Sequence, residues 1–149
     1  MLRLLVYLWA LPVTLPGMLV AIIARGSGGT LQQVDGVLES AGGWPAWVLR
    51  RGFPFSGAVA AITLGHVVVG VSLDTLNATR AHERAHVRQF ERWGMLLLVL
   101  YPLAGLLAWI RGGNPYCDNL FEREARRTET AAPGKPERTG SAVIHSVGR

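Results

Sequence analysis

His82, Glu83 and His86 stand in the order His-Glu-x-x-His within "RAHERAHVRQFERW", residues 80–93. Residues four apart on an α-helix lie one turn apart on the same face, so both imidazoles can reach one metal ion. Zinc suits such a pair, and hydrolytic zinc chemistry also needs a carboxylate beside the metal's water to accept its proton. Glu83, directly after the first histidine, is spaced for that role. A third protein ligand has to complete the set while one position stays open. Cys117 is the sole cysteine, which excludes an intrachain disulfide and a Cys-rich metal site.

The helix that carries the motif is expected to start near Arg80, with Asn77 or Thr79 as its cap. At 100° per residue His82, His86, Gln89 and Trp93 share one face, with Ala85 beside them. Arg80, Arg84, Arg88 and Arg92 fall on the opposite face together with Glu91, a pattern of a solvated face or of contact with lipid phosphates. A second helix is expected in "DNLFEREARR", capped by Asp118 or Asn119, after a loop containing Gly112, Gly113 and Pro115. Two further residues can take part in chemistry. His66, in "TLGHVVVG", can face an oxyanion or leaving group, although a strand histidine is the plainer reading. Tyr116 can donate to a transition state.

Two apolar blocks flank these elements. The first, Leu4 to Ala24, has no charge and is long enough for a crossing of about 20 residues. Pro12 and Pro16 are expected to bend it. It reads as a retained anchor: it exceeds a signal peptide's apolar core of roughly 7–15 residues, and Ile22 before Ala24 makes a poor cleavage site. The second block, Met95 to Ile110, covers roughly 24 Å as a helix, short of the roughly 30 Å hydrocarbon core. Trp93 and Trp109 flank it, and Pro102 and Gly105 permit a kink or a re-entrant bend. Seven of the 15 basic residues lie between the blocks and eight outside them, so the charge distribution gives no orientation.

Between the blocks, "LQQVDGVLES" carries the Asp-Gly signature of a two-residue hairpin. "WPAWVLRR" is a short turn or helix whose tryptophans can lie at a membrane surface. "AVAAITLGHVVVGV", bounded by Gly57 and Gly70, reads as one or two strands. From about Thr128 the chain is small, polar and Pro/Gly-bearing, as in disordered tails. The expected fold is thus an α+β membrane protein. It comprises an N-terminal transmembrane helix (1–25), a small antiparallel sheet (26–79), a helical region (80–127) and a tail (128–149). The helical region holds the motif helix, the short membrane-contacting segment 95–110 and the glutamate helix. The net charge of +5 comes with apolar blocks and no interleaved aromatic module, so the expected partner is a lipid bilayer and not nucleic acid.

Taken together, the two motif helices resemble the gluzincins, zinc metallopeptidases in which His-Glu-x-x-His is completed by a glutamate on a later helix. The chain is most similar among these to membrane-bound bacterial and CAAX-type families, whose third ligand lies in Glu-x-x-Ala-Asp. "FEREAR" supplies Glu122-x-x-Ala125, so the resemblance implies Glu122 as the third zinc ligand, with Glu124 as the competing carboxylate. Arg84 and Arg126 occupy positions where those families carry an uncharged residue and the aspartate. "RAHERAHVRQFERWG" and "NLFEREAR" also resemble blocks of small bacterial membrane proteins, over most of residues 1–127, a similarity that brings no activity with it. The resemblance implies a peptidase anchored in the cell (inner) membrane. It would use Zn2+ and cleave a peptide or membrane-protein segment laid against the apolar strand before the motif helix. The alternative is a non-catalytic membrane-anchored binding or scaffold protein with a structural or degenerate site. A shared metal further requires that segment 95–110 does not cross the bilayer, since crossing would part His86 from Glu122.

Overall fold

The computed structural model describes residues 2–52 and 58–131. Its elements run α1 (Leu2–Gly26), β1 (Thr30–Val34), β2 (Val37–Ala41), α2 (Gly43–Arg51), β3 (Ala61–Leu64), β4 (Val67–Gly70), α3 (Leu73–Trp93), α4 (Leu97–Ile110) and α5 (Leu120–Thr130). One 3-10 turn, Gly94–Leu96, joins α3 to α4. The fold is α+β, but the sheet is mixed. Its order is β1-β2-β4-β3, and the central pair β2–β4 is parallel while both outer pairs are antiparallel. The expectation of a wholly antiparallel sheet misses the passage through α2 to the outer position, from which β3 runs the chain back and the hairpin after it sets β4 parallel to β2.

Local chemistry explains both hairpins. Asp35 and Gly36 join β1 to β2 with φ of 49° and 79°, the positive values a tight two-residue turn demands. Gly65 and His66 form a second two-residue turn between β3 and β4, in which Gly65 alone takes a positive φ, 63°. The alternation along β4 then assigns the layers. Val67 and Val69 pack with Ala21 of α1 and Leu49 of α2, whereas Val68 packs with Leu76 and Val87 of α3. The sheet is therefore held between α1 with α2 on one side and α3 on the other, and α5 packs along α3.

Two boundaries differ from those read in the sequence, at α3 and α5. α3 begins at Leu73, one full turn or more before Arg80, because Ser72 accepts a hydrogen bond from the Thr75 amide at 3.1 Å and Leu76 is buried against the sheet. α1 remains one helix through Pro12 and Pro16. α5 runs to Thr130, so the start of the expected tail is helical; residues 132–149, like Gly57, lie outside the described residues. By length and composition, Leu5–Gly26 and the run Leu73–Ile110 are each apolar and long enough to cross a membrane.

The arginine face is not uniformly outward either. Glu39 of β2 is buried and receives the Arg80 guanidinium through two bonds of 2.9 Å, with Arg84 at 3.3 Å. Arg84 also donates to the Val34 carbonyl at 2.6 Å. Burial pushes the Glu39 carboxyl up, but the hydrogen bonds from Arg80 and Gln32 and the charges of Arg80 and Arg84 outweigh it and hold the group below its usual 4.5. The ionised form thus stabilises the fold above pH 4.5, and that contribution is lost as pH falls through the lower folded value. Replacing Glu39 with glutamine is expected to cost about 3 kcal/mol in chemical unfolding at neutral pH, since two guanidinium groups lose their counter-charge. The variant should also lose the part of the acid sensitivity that Glu39 carries.

Candidate metal centre

α3 and α5 are brought side by side by the chain reversal that follows α4. α4 continues as one helix through Pro102 and Gly105; the chain reverses after it, and segment 111–119 runs back along the helix. Gly105 permits this, because a Cβ there would stand 2.9 Å from the Pro115 carbonyl oxygen. Asn119 locks the return: its amide donates to the Tyr101 carbonyl at 3.0 Å and its Oδ1 caps α5 by accepting from the Phe121 amide. The second apolar segment therefore does not separate the two motif helices.

His82, His86 and Glu122 meet in consequence. Ligating atoms of all three lie within 4.8 Å of one another. The two Nε2 atoms are 3.1 Å apart, His82 Nε2 is 3.3 Å from Glu122 Oε2 and His86 Nε2 is 3.2 Å from Glu122 Oε1. Ligands held at about 2.0–2.1 Å by a tetrahedral zinc lie roughly 3.3–3.4 Å from one another, so these spacings match its edges.

Proton accounting supports a cation at this point. Gln89 gives its amide protons to the Phe121 carbonyl at 3.0 Å and to Glu124 Oε2 at 2.9 Å, so its Oε1 must accept. It accepts from His86 Nδ1 at 2.9 Å, which leaves neutral His86 with a bare Nε2 lone pair facing a carboxylate. Glu122 Oε2 is buried and accepts no well-directed hydrogen bond. Only an added proton or a metal ion relieves that crowding. Burial pushes the Glu122 carboxyl up, but once the histidines carry that added proton, hydrogen bonds from His82 and His86, the Tyr101 hydroxyl and the His86 charge outweigh it and hold the group well below the usual range, as the carboxylate.

The surrounding groups fix these ligands. The Tyr101 hydroxyl donates to Glu122 Oε1 at 2.7 Å, and Glu129 Oε2 stands 3.7 Å from His82 Nδ1. Such outer partners set tautomer and ring orientation. Replacing Gln89 with leucine is expected to weaken zinc binding about 10–100-fold, read by competition against a chromophoric chelator. Gln89, Tyr101 and Glu129 have no signature in the sequence as metal-site residues, although Gln89 falls on the histidine face at i+3 from His86.

Glu83 lies beside the trio, buried, with Oε2 accepting from the Thr63 hydroxyl at 2.6 Å. Thr63 belongs to β3, an outer strand of the sheet. A cavity of about 910 Å³ opens here, bordered by β3, α3, α4 and segment 115–122, and lined among others by His82, Glu83, His86, Tyr116 and Glu122. Its remaining walls are largely apolar, including Ile62, Leu64, Phe90, Leu97 and Leu106. Burial, then the charge and hydrogen bonding of Glu122, push the Tyr116 hydroxyl up to about 12, so it remains a protonated donor at neutral pH.

The other expected residues go elsewhere. Glu124 is engaged by Gln89 and by Arg92 at 3.4 Å, outside the ligand cluster, which corrects its reading as the competing ligand. His66 does not line the cavity; it is buried at the β3–β4 turn, stacked 4.1 Å from the Tyr7 ring and 3.2 Å from Glu91 Oε1. That placement removes it as an oxyanion or leaving-group partner. Arg84 is drawn to Glu39 on the far side of α3, and Arg126 donates to the Cys117 carbonyl, so neither cation occupies the cluster. No protein-family model matches the chain, and neither a curated protein nor a solved structure does.

Proposed function

We propose that the protein is a membrane-associated, zinc-dependent peptidase. The observation that carries this reading is the convergence of His82, His86 and the buried Glu122 carboxylate, with Glu83 next to them on the wall of an open cavity. His82 Nε2, His86 Nε2 and Glu122 would hold the ion. Zinc, when bound, supplies Lewis acidity that polarises a carbonyl and acidifies a water.

The chain's own residues do the rest. The Thr63 hydroxyl fixes Glu83 Oε2, which leaves Oε1 to take a proton from the attacking water and later deliver it to the leaving amine. Gln89 keeps the His86 proton on Nδ1 and so keeps Nε2 free as a ligand. Tyr116 presents a protonated hydroxyl at the same cavity for the developing oxyanion. β3 is a sheet edge that borders the cavity, so an extended peptide can add to it as a further strand. The apolar walls favour apolar side chains, as in a membrane-protein segment. The test is incubation of the zinc-loaded protein, in lipid vesicles, with a library of extended apolar peptides. New amino termini seen by mass spectrometry, absent with Glu83→Gln, support the reading. An intact library overturns it.

A further inference from the structure

We propose that α1 lies in the plane of the membrane surface instead of across it. The protein then docks on one leaflet through α1, α2 and α4, and no segment crosses. This rests on the membrane association above but not on zinc or catalysis.

The residue sizes around α1 are inverted relative to a core helix. Ala10, Val13, Gly17, Ala21 and Ala24 are buried against the protein, Val13 beside Phe90, Leu97 and Phe121 and Ala21 against the sheet, while Leu8, Leu11, Leu15, Leu19 and Ile22 are exposed. Gly17 permits the close seat, since a Cβ there would stand 2.9 Å from Leu64 Cβ. Small residues thus serve the protein contact and large ones form a continuous stripe at i, i+3 and i+4 spacing that the protein itself leaves uncovered.

The sheet decides how lipid meets that stripe. α1 is packed against all four strands. The Tyr7 hydroxyl donates to the Gly36 carbonyl near one end of the helix, and Gly29 is seated at the Ala24 carbonyl near the other. β1, Thr30 to Val34, lies between these contacts and is an outer strand whose second backbone edge has no partner strand among the described residues, with an exposed Gln33. Tyr7 to Ala24 covers roughly 26 Å of helix, nearly the full hydrocarbon thickness of about 30 Å. Were α1 upright, that open edge would lie in hydrocarbon, where unsatisfied backbone groups are not tolerated. Laid flat, α1 puts its outer stripe in lipid and the sheet edge in water.

The neighbouring elements agree. α2 packs beside α1 and exposes Trp44 and Trp47, with the Arg51 guanidinium 4.0 Å above the Trp47 ring. Aromatic rings paired with arginine suit the headgroup level of an anionic leaflet. Outside the cavity α4 exposes Val99, Leu103, Leu107 and Ile110, and its return along segment 111–119 brings the chain back to the side it left. The occupant of this face is therefore a leaflet containing anionic phospholipid.

The test uses the full chain in sealed membrane vesicles, prepared right-side-out and inside-out, and a membrane-impermeant maleimide. Three thiols are compared: native Cys117, which is exposed, and, in a Cys117→Ser background, either Gln33→Cys or a cysteine added ahead of residue 1. All three are expected to label at least tenfold more in one and the same preparation. An amino-terminal thiol labelled only in the preparation where Cys117 is protected would overturn the in-plane helix and leave membrane association standing. Recovery of the chain as a soluble monomer or dimer without detergent would overturn membrane association as well.

Discussion

Replacing Glu83 with glutamine is expected to lower peptide hydrolysis by about 10³-fold, within the 10²–10⁴ range for a positioned general base. Zinc content and unfolding midpoint should stay at their wild-type values. The side chain keeps its size, and its amide oxygen can still accept from the Thr63 hydroxyl that holds Glu83 Oε2 at 2.6 Å. What is lost is the capacity to take a proton from water and give it to the amine. A substitution acting through the fold would move the midpoint, and one acting through the metal would move the zinc content. Turnover indifferent to the change would instead favour a scaffold whose metal is structural.

The second large effect concerns Glu122. Replacing it with alanine removes the sole carboxylate of the described three-ligand cluster and leaves the Tyr101 hydroxyl without its acceptor. If the roughly 10–16 kcal/mol of a structural zinc site is shared among its ligands, losing one costs about 3–4 kcal/mol, a drop of more than 10²-fold in affinity. Glu124→Ala is the internal control. Its carboxylate meets Gln89 and Arg92 outside the cluster, so the expected loss is confined to the smaller effect of loosening Gln89. Equal losses in the two variants would mean that Glu122 is not the ligand.

How much of this arrangement is legible in the chain follows from the range of the interactions. Histidine pairing depends on helix geometry over four residues, and the Asp35-Gly36 turn and the Asn119 cap are equally local, so short patterns reveal them. Arg84 is the opposite case. Helical periodicity sends it outward, but its partner Glu39 lies 45 residues away on β2, and only the register of the sheet brings them together. The same holds for Glu124, which the sequence cannot separate from Glu122: the two lie two residues apart and differ only in which side of α5 meets α3. The parallel β2–β4 pair hides for a related reason, since nothing in "WPAWVLRR" says that the chain passes to the outer position, leaving a gap that β4 fills.

The first apolar block teaches a further point. Its composition says that it prefers lipid or a core, and its length permits a crossing. Which face meets protein is written in residue size: Ala10, Gly17, Ala21 and Ala24 against Leu8, Leu15 and Leu19. That pattern becomes readable once the sheet is seen to lie along the helix. His66 is similar, because nothing near it in the chain foretells the Tyr7 ring that stacks on it from α1.

The central claim is that His82, His86 and Glu122 form one metal site, and zinc content per chain tests it most directly. Wild-type protein and His86→Ala, purified side by side and reconstituted with zinc under anaerobic conditions, should give about one zinc per wild-type chain and none retained in the variant after dialysis. Wild-type protein that emerges without zinc, or a variant that keeps it, would contradict the account and leave α3 a polar helix packed against a sheet.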